Sequence, residues 1–183
     1  MIFNKTRIPG AFVVEIEPRT DARGFFGRGF CRKEFEAHGL NARIAQANIG
    51  VSRLRGTLRG MHYQVPPQEE TKLVRCTAGA VFDVIVDLRP ESPSYKQWIG
   101  VELTAENHTM LYVPEGCAHG YLALADHTEV FYLVSQFYSP GAERGVRWND
   151  PAFAIEWPPV ESLVISDKDA GWQDWVDDRD GQA

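Results

Sequence analysis

Between residues 56 and 140 the chain is a succession of short β-branched and aromatic segments: GTLRGMHYQ, KLVRCTAGAVFDVIVDLR, KQWIGVELTAE, HTMLYVPEG, HGYLALAD and TEVFYLVSQFYSP. They are cut apart by GA, SPSY, AEN, PEG and ADH, which are turn chemistry. Many short strands at this spacing, with little helix among them, predict an antiparallel sandwich or barrel of jelly-roll type. Upstream, FVVEIEP reads as a short strand, RKEFEAHGL as the one convincing helix and ARIAQANIGVS as another strand. The expected class is all-β, with a few short helices.

A chain of 183 residues, 44% hydrophobic and without a long polar tract, suits one domain spanning residues 1–183 with a substantial core. The tail from Gly171, GWQDWVDDRDGQA, turns acidic and is expected to fray. The net charge of −6 is spread over interspersed acids and bases, so no basic face offers itself to a nucleic-acid backbone. No apolar run approaches the roughly 20 residues that span a bilayer, and MIFNKTRIPGAF has no signal pattern. A cytoplasmic protein without nucleic-acid or membrane partners is expected. Cys31, Cys76 and Cys117 have no CxxC spacing and read as ordinary reduced thiols.

Residues two apart share a face of a strand. On that rule Lys72 lies with Val74 and Cys76, Asp83 with Val81 and Ile85, Tyr132 with Val130 and Val134, and His62 with Leu58, Gly60 and Gln64. A buried lysine or aspartate without a partner costs roughly several kcal/mol, so such residues persist where they pair or where the face lines a wet cavity. Taken singly, each has a plain structural role to play. Their joint occurrence with His119, in PEGCAHGY, assembles the parts for proton abstraction beside a carbonyl. Strict alternation sets Arg59 and His62 on opposite faces.

PEGCAH is similar to the PxGxxH motif of cupins, which supports the jelly roll. A metal cupin needs about three histidines and a carboxylate, whereas His62 begins HxQ rather than HxH, and His38, His108 and His127 fall in the helix or near turns. A metal site is therefore not expected. Nucleophilic catalysis has no GxSxG elbow here, and Cys117 is suggestive only by its proximity to His119.

Taken together, RGFF (23–26), LRGMHYQ (58–64), KLVR (72–75), FDVIVDLR (82–89), SPSY, LTAEN, VPEGCAHGY (113–121), the Tyr132 strand with FYSP, RWNDP and ISDKDA resemble the dTDP-4-dehydrorhamnose 3,5-epimerase family from about residue 7 to residue 170. The resemblance implies a cupin-type jelly-roll fold, a homodimer, no cofactor, and a 4-keto-6-deoxyhexose on a nucleotide diphosphate as substrate. It matches His62 to the base, Asp169 to the carboxylate that orients it, and Tyr132 to the acid on the opposite face. Lys72 and Arg59 match cations near the ketone and phosphates, and His119 with Asp83 a second His–carboxylate pair. The roles so implied bring Arg59 and His62 together only if Gly60 between them marks a bulge that re-aims its neighbours. Arg23, Phe25, Gln46, Asn48 and Arg28 match nucleotide-binding positions.

The departures lie in the base-reading set. Arg28 stands where the family usually has glutamate, Leu133 where lysine is common, and Phe137 where a tyrosine is frequent. The resemblance thus implies 3,5-epimerisation of a dTDP sugar, with another nucleotide or a single inverted carbon as alternatives. A sugar-nucleotide-binding module without turnover is the rival from another class.

Overall fold

The computed structural model describes residues 1–176. Its strands are β1 (Ile2–Lys5), β2 (Phe12–Glu15), β3 (Arg19–Asp21), β4 (Gly24–Phe26), β5 (Gln46–Ser52), β6 (Leu58–Gln64), β7 (Lys72–Ala78), β8 (Ala80–Asp87), β9 (Trp98–Thr104), β10 (Met110–Val113), β11 (Cys117–Ala123), β12 (Thr128–Val134) and β13 (Glu143–Gly145). The helices are α1 (Arg32–Ala37) and α2 (Asp167–Ala170). The strands form a six-stranded sheet, β1-β2-β10-β7-β12-β5, a five-stranded sheet, β13-β6-β11-β8-β9, and a separate β3-β4 hairpin. This is the all-β jelly roll expected from the sequence. The strands missing from the sequence reading, β1, β3, β4 and β13, have only three or four residues and are largely exposed, too short to display a period.

Alternation places Val74, Cys76 and Val130 of one sheet against Val81, Ile85 and Tyr121 of the other, and seals one part of the sandwich. Each fully buried Val or Ile contributes about 1.5–3 kcal/mol, which offsets the cost of a polar interior elsewhere. The outer faces are covered too. Phe35 of α1 packs with Phe12, Val14, Leu73 and Met110, while Phe153, Trp157 and Trp175 cover Met61, Val84 and Val86. Burial on both faces explains why VFDVIVD is nearly continuous in apolar residues.

Beyond Gly171 the chain packs on the domain as far as Trp175. Trp172 lies against Gly145, where an added Cβ would collide with its ring, and Trp175 donates from its ring to the Tyr95 hydroxyl at 3.1 Å. The Trp175 backbone N–H is also bonded to Asp150. The acidic residues after 176 fall outside the described residues.

Gly60 does mark a bulge. His62 pairs with His119 and Arg59 with Tyr121, so β6 has two residues between these pairs where β11 has one. Gly60 has φ of +124° and lies so near Gly120 that a Cβ would stand 2.5 Å from the Gly120 Cα. Only glycine fits both conditions. We expect Gly60→Ala to destabilise the fold by about 3 kcal/mol or more, measured by urea denaturation, since it adds backbone strain and an overpacked contact together.

Candidate active site

Two adjoining cavities share His62, Lys72 and Tyr132 in their walls. The first, about 260 Å³, is also bounded by Gly50, Arg59, His119, Tyr121 and Asp169. The second, about 370 Å³, is bounded by Gln46, Asn48, Gln64, Glu70, Tyr138 and Glu143. The walls come from facing sheets. Arg59, His62, His119 and Tyr121 stand on the five-stranded sheet, and Gln46, Asn48, Lys72 and Tyr132 on the six-stranded one.

His62 Nε2 lies 2.7 Å from Asp169 Oδ1, a contact spanning 107 residues of sequence. Asp169 sits in α2, whose first turn is capped by Ser166 Oγ accepting from the Asp169 N–H at 3.1 Å. The bulge completes this seat, because the Gly60 N–H donates to Asp169 Oδ2 at 3.2 Å. Burial alone would raise the Asp169 carboxyl; the hydrogen bond and charge of His62, the Gly60 N–H and nearby Lys168 outweigh it and hold the group below the usual aspartate value. Asp169 is therefore ionised at neutral pH and accepts from Nε2–H, which leaves the lone pair of the neutral ring on Nδ1.

Lys72, the first residue of β7, is 7% exposed. Its Nζ donates to the His62 carbonyl and stands 3.3 Å from Glu70 Oε1. Burial pushes the Tyr132 phenol up, Glu70 pushes the same way and Arg59 opposes. It is a protonated donor at neutral pH. Arg59 is exposed as a residue yet bounds the first cavity, and its guanidinium donates to the Val51 carbonyl at 2.9 Å. His119 Nε2 lies 2.8 Å from Asp83 Oδ1, and this pair is nearly closed from solvent.

Gln64 accounts for HxQ. Its Oε1 accepts from the Ser139 N–H at 2.6 Å and its Nε2 donates to the Gln68 carbonyl at 2.8 Å, so it ties the segment after β12 to the site. Each of the two neighbouring histidines commits a ring nitrogen to a carboxylate, and no group of three potential metal-ligating side chains occurs among the described residues. Cys117 is no nucleophile, because burial pushes its thiol up to about 12.

Of the five nucleotide positions, Gln46 and Asn48 line the second cavity. Arg23, Phe25 and Arg28 do not reach either cavity. Arg23 and Phe25 stand on the β3-β4 hairpin, which pairs with neither large sheet; Arg23 is ion-paired with Asp21 at 2.6 Å and Phe25 lies against His108. Arg28 faces Glu34 at 3.4 Å. Two departures also lie off the cavity walls: Leu133 packs on the outer core beside Phe35, and the Phe137 ring is exposed.

Sequence reasoning missed Glu70, Tyr121, Tyr138 and Glu143 as wall residues. Tyr121 shares the face of His119, so alternation could have found it, whereas Glu70 precedes β7 in a segment without regular structure. Glu143, which accepts from Tyr138 Oη at 2.8 Å and pairs with Lys168 at 2.6 Å, left no signal in a three-residue strand.

The depressed Asp169 value has a consequence for stability. Its contribution is fully present above the unfolded aspartate value of about 3.9 and is lost as pH falls through the lower folded value. We expect Asp169→Asn to cost about 1–3 kcal/mol at pH 7 and the difference from wild type to shrink below about pH 4, measured by urea denaturation across pH.

The family model for dTDP-4-dehydrorhamnose 3,5-epimerase matches residues 5–177. The dTDP-4-dehydrorhamnose 3,5-epimerase of Shigella flexneri is 46% identical over 174 residues, covering 94% of this chain and 95% of that one. The crystal structure of the enzyme of that name from Elizabethkingia anophelis superposes with a TM-score of 0.93 at 36% identity, covering 96% of each chain. A 3,5-epimerase from Legionella pneumophila, solved in complex with dTDP-4-keto-L-rhamnose, gives a TM-score of 0.87 at 38% identity over 93% of this chain and 90% of that one. With fold and sequence matched over nearly its whole length, the chain belongs to the dTDP-4-dehydrorhamnose 3,5-epimerase family.

Proposed function

We propose that this protein is an isomerase that epimerises a dTDP-linked 4-keto-6-deoxyhexose, turning dTDP-4-dehydro-6-deoxyglucose into dTDP-4-dehydrorhamnose by inversion at C-3 and C-5. The observation that carries the reading is the placement of His62, with Asp169 behind it, and Tyr132 on facing sheets of one cavity. Inversion calls for a base and an acid on opposite faces of the sugar, and residues on two facing sheets can supply one each.

The C-4 ketone acidifies the neighbouring C–H bonds. His62 Nδ1 takes the proton, and Asp169 stabilises the imidazolium that results. The electron pair moves into an enolate, whose oxygen is stabilised by Lys72 with Arg59 near the phosphates; charge in a desolvated cavity is stabilised by roughly several kcal/mol. Tyr132 returns a proton to the other face, and His119, backed by the buried Asp83, lines the sugar site. No electrons are gained or lost, so this route requires no redox cofactor.

The working unit is a homodimer in the cytoplasm. β5 is a sheet edge whose outward Ile49 and Val51 are 65% and 50% exposed, and Phe25 and Phe26 on the hairpin are 49% and 71% exposed. Apolar edges of this kind are covered by a partner. A second copy also gives Arg23, Phe25 and Arg28 a nucleotide to meet, in the cavity of its neighbour beside Gln46 and Asn48. No helix among the described residues is long and apolar enough to cross a membrane.

In heavy water with dTDP-4-keto-6-deoxyglucose, deuterium is expected at C-3 and C-5, read by NMR. Label at one carbon only means a single-site epimerase, and no label from folded protein with any nucleotide carrier sinks the reading. His62→Gln is expected to lower kcat by at least about a hundredfold while circular dichroism stays native. Unchanged turnover there returns the chain to a binding role.

A further inference from the structure

Tyr121 is a buried titratable group in the cavity wall that the proposed reaction leaves unused. It follows His119 by two residues on β11 and points the same way, with 6.5 Å between the ring centroids. It is 5% exposed and bounds the first cavity beside Arg59 and Tyr132.

Its hydroxyl crosses to the opposite sheet. A Cβ at Gly50 would come within 2.8 Å of Tyr121 Oη, so the missing side chain of β5 is the space this oxygen occupies. Gly50 faces inward with Gln46, Asn48 and Ser52, as the alternating burial of β5 requires. Burial pushes the Tyr121 phenol up, with the Arg59 charge and the neighbouring Ser52 hydroxyl of β5 opposing, so the group stays protonated. Ser52 Oγ, buried and without another hydrogen-bond partner, lies beside it and takes one side of the hydroxyl. The other side is at the cavity wall, and an empty residue across the sandwich makes room for the oxygen.

We propose that the Tyr121 hydroxyl is a hydrogen-bonding contact for the sugar in the first cavity and determines which ring carbon is presented to His62. The inference rests on the epimerase reading above. Tyr121 is then a specificity-determining residue, distinct in role from the acid Tyr132.

The test measures deuterium entry at C-3 and C-5, with kcat/KM, for wild type, Tyr121→Phe, Gly50→Ala and the double variant. Tyr121→Phe is expected to lower kcat/KM about three- to tenfold, the effect of one lost neutral hydrogen bond, and to change the C-3 to C-5 ratio while Tm holds. Gly50→Ala displaces the hydroxyl and is expected to shift the ratio the same way. In the Tyr121→Phe background it adds nothing, because the atom it crowds is gone. A wild-type ratio in Tyr121→Phe overturns the proposal, whether or not kcat/KM falls, since only the choice of carbon separates a sugar contact from packing. Absence of exchange in the wild type overturns the epimerase reading and this inference with it, whereas wild-type exchange that Tyr121→Phe leaves unchanged overturns this inference alone.

Discussion

The close approach of Gly60 to Gly120 is the contact on which the geometry of the site depends. With no side chain on either residue, β6 and β11 come together where any Cβ would collide with backbone, and β6 takes up an extra residue there. Three results follow from one bulge. Arg59 and His62 both reach the first cavity, although regular alternation would part them. The Gly60 N–H is turned to Asp169 Oδ2, and His62 stays level with His119, so the two His–carboxylate pairs stand side by side.

The sandwich divides its interior between cohesion and chemistry. Where Val74, Val81, Ile85, Leu111 and Val130 meet, the sheets are sealed by apolar contact. Where glycine, amide and charged residues replace them, the same two sheets stand apart around a cavity. Lys72 shows the transition within one strand, with Val74 and Cys76 on its own face fully buried in the core. Because the strands are held along their length by the ladder, groups at one end are positioned by hydrophobic packing at the other. Facing sheets also supply groups to two sides of a ring, which is the geometry an inversion requires.

The face-sharing sets of Lys72, Asp83 and Tyr132 were legible in the sequence, because alternation within a strand is a local rule. The bulge was legible only with the resemblance added: Gly60 allowed one, but the need for Arg59 and His62 to face the same way came from the roles the family implies for them. Gln64 was visible, but its task was not: it holds Ser139 and Gln68, and hydrogen bonds made by a loop carry no period. Glu143 and Tyr138 were invisible for the same reason. The place of Asp169 behind His62 came from family resemblance alone, as nothing local in SDKDA points to a strand more than a hundred residues away.

By itself, the sequence determined the layered β architecture, its longer strands and the faces on which Lys72, Asp83 and Tyr132 lie, because periods of two residues and turn chemistry are written locally. Tertiary structure alone decided that Asp169 meets His62, that Tyr121 reaches Gly50, and that Arg23, Phe25 and Arg28 stand away from the cavity of their own chain. Those outcomes depend on how two sheets and a C-terminal segment pack. Packing is settled by volume and complementarity between residues far apart in the chain, and these have no local signature.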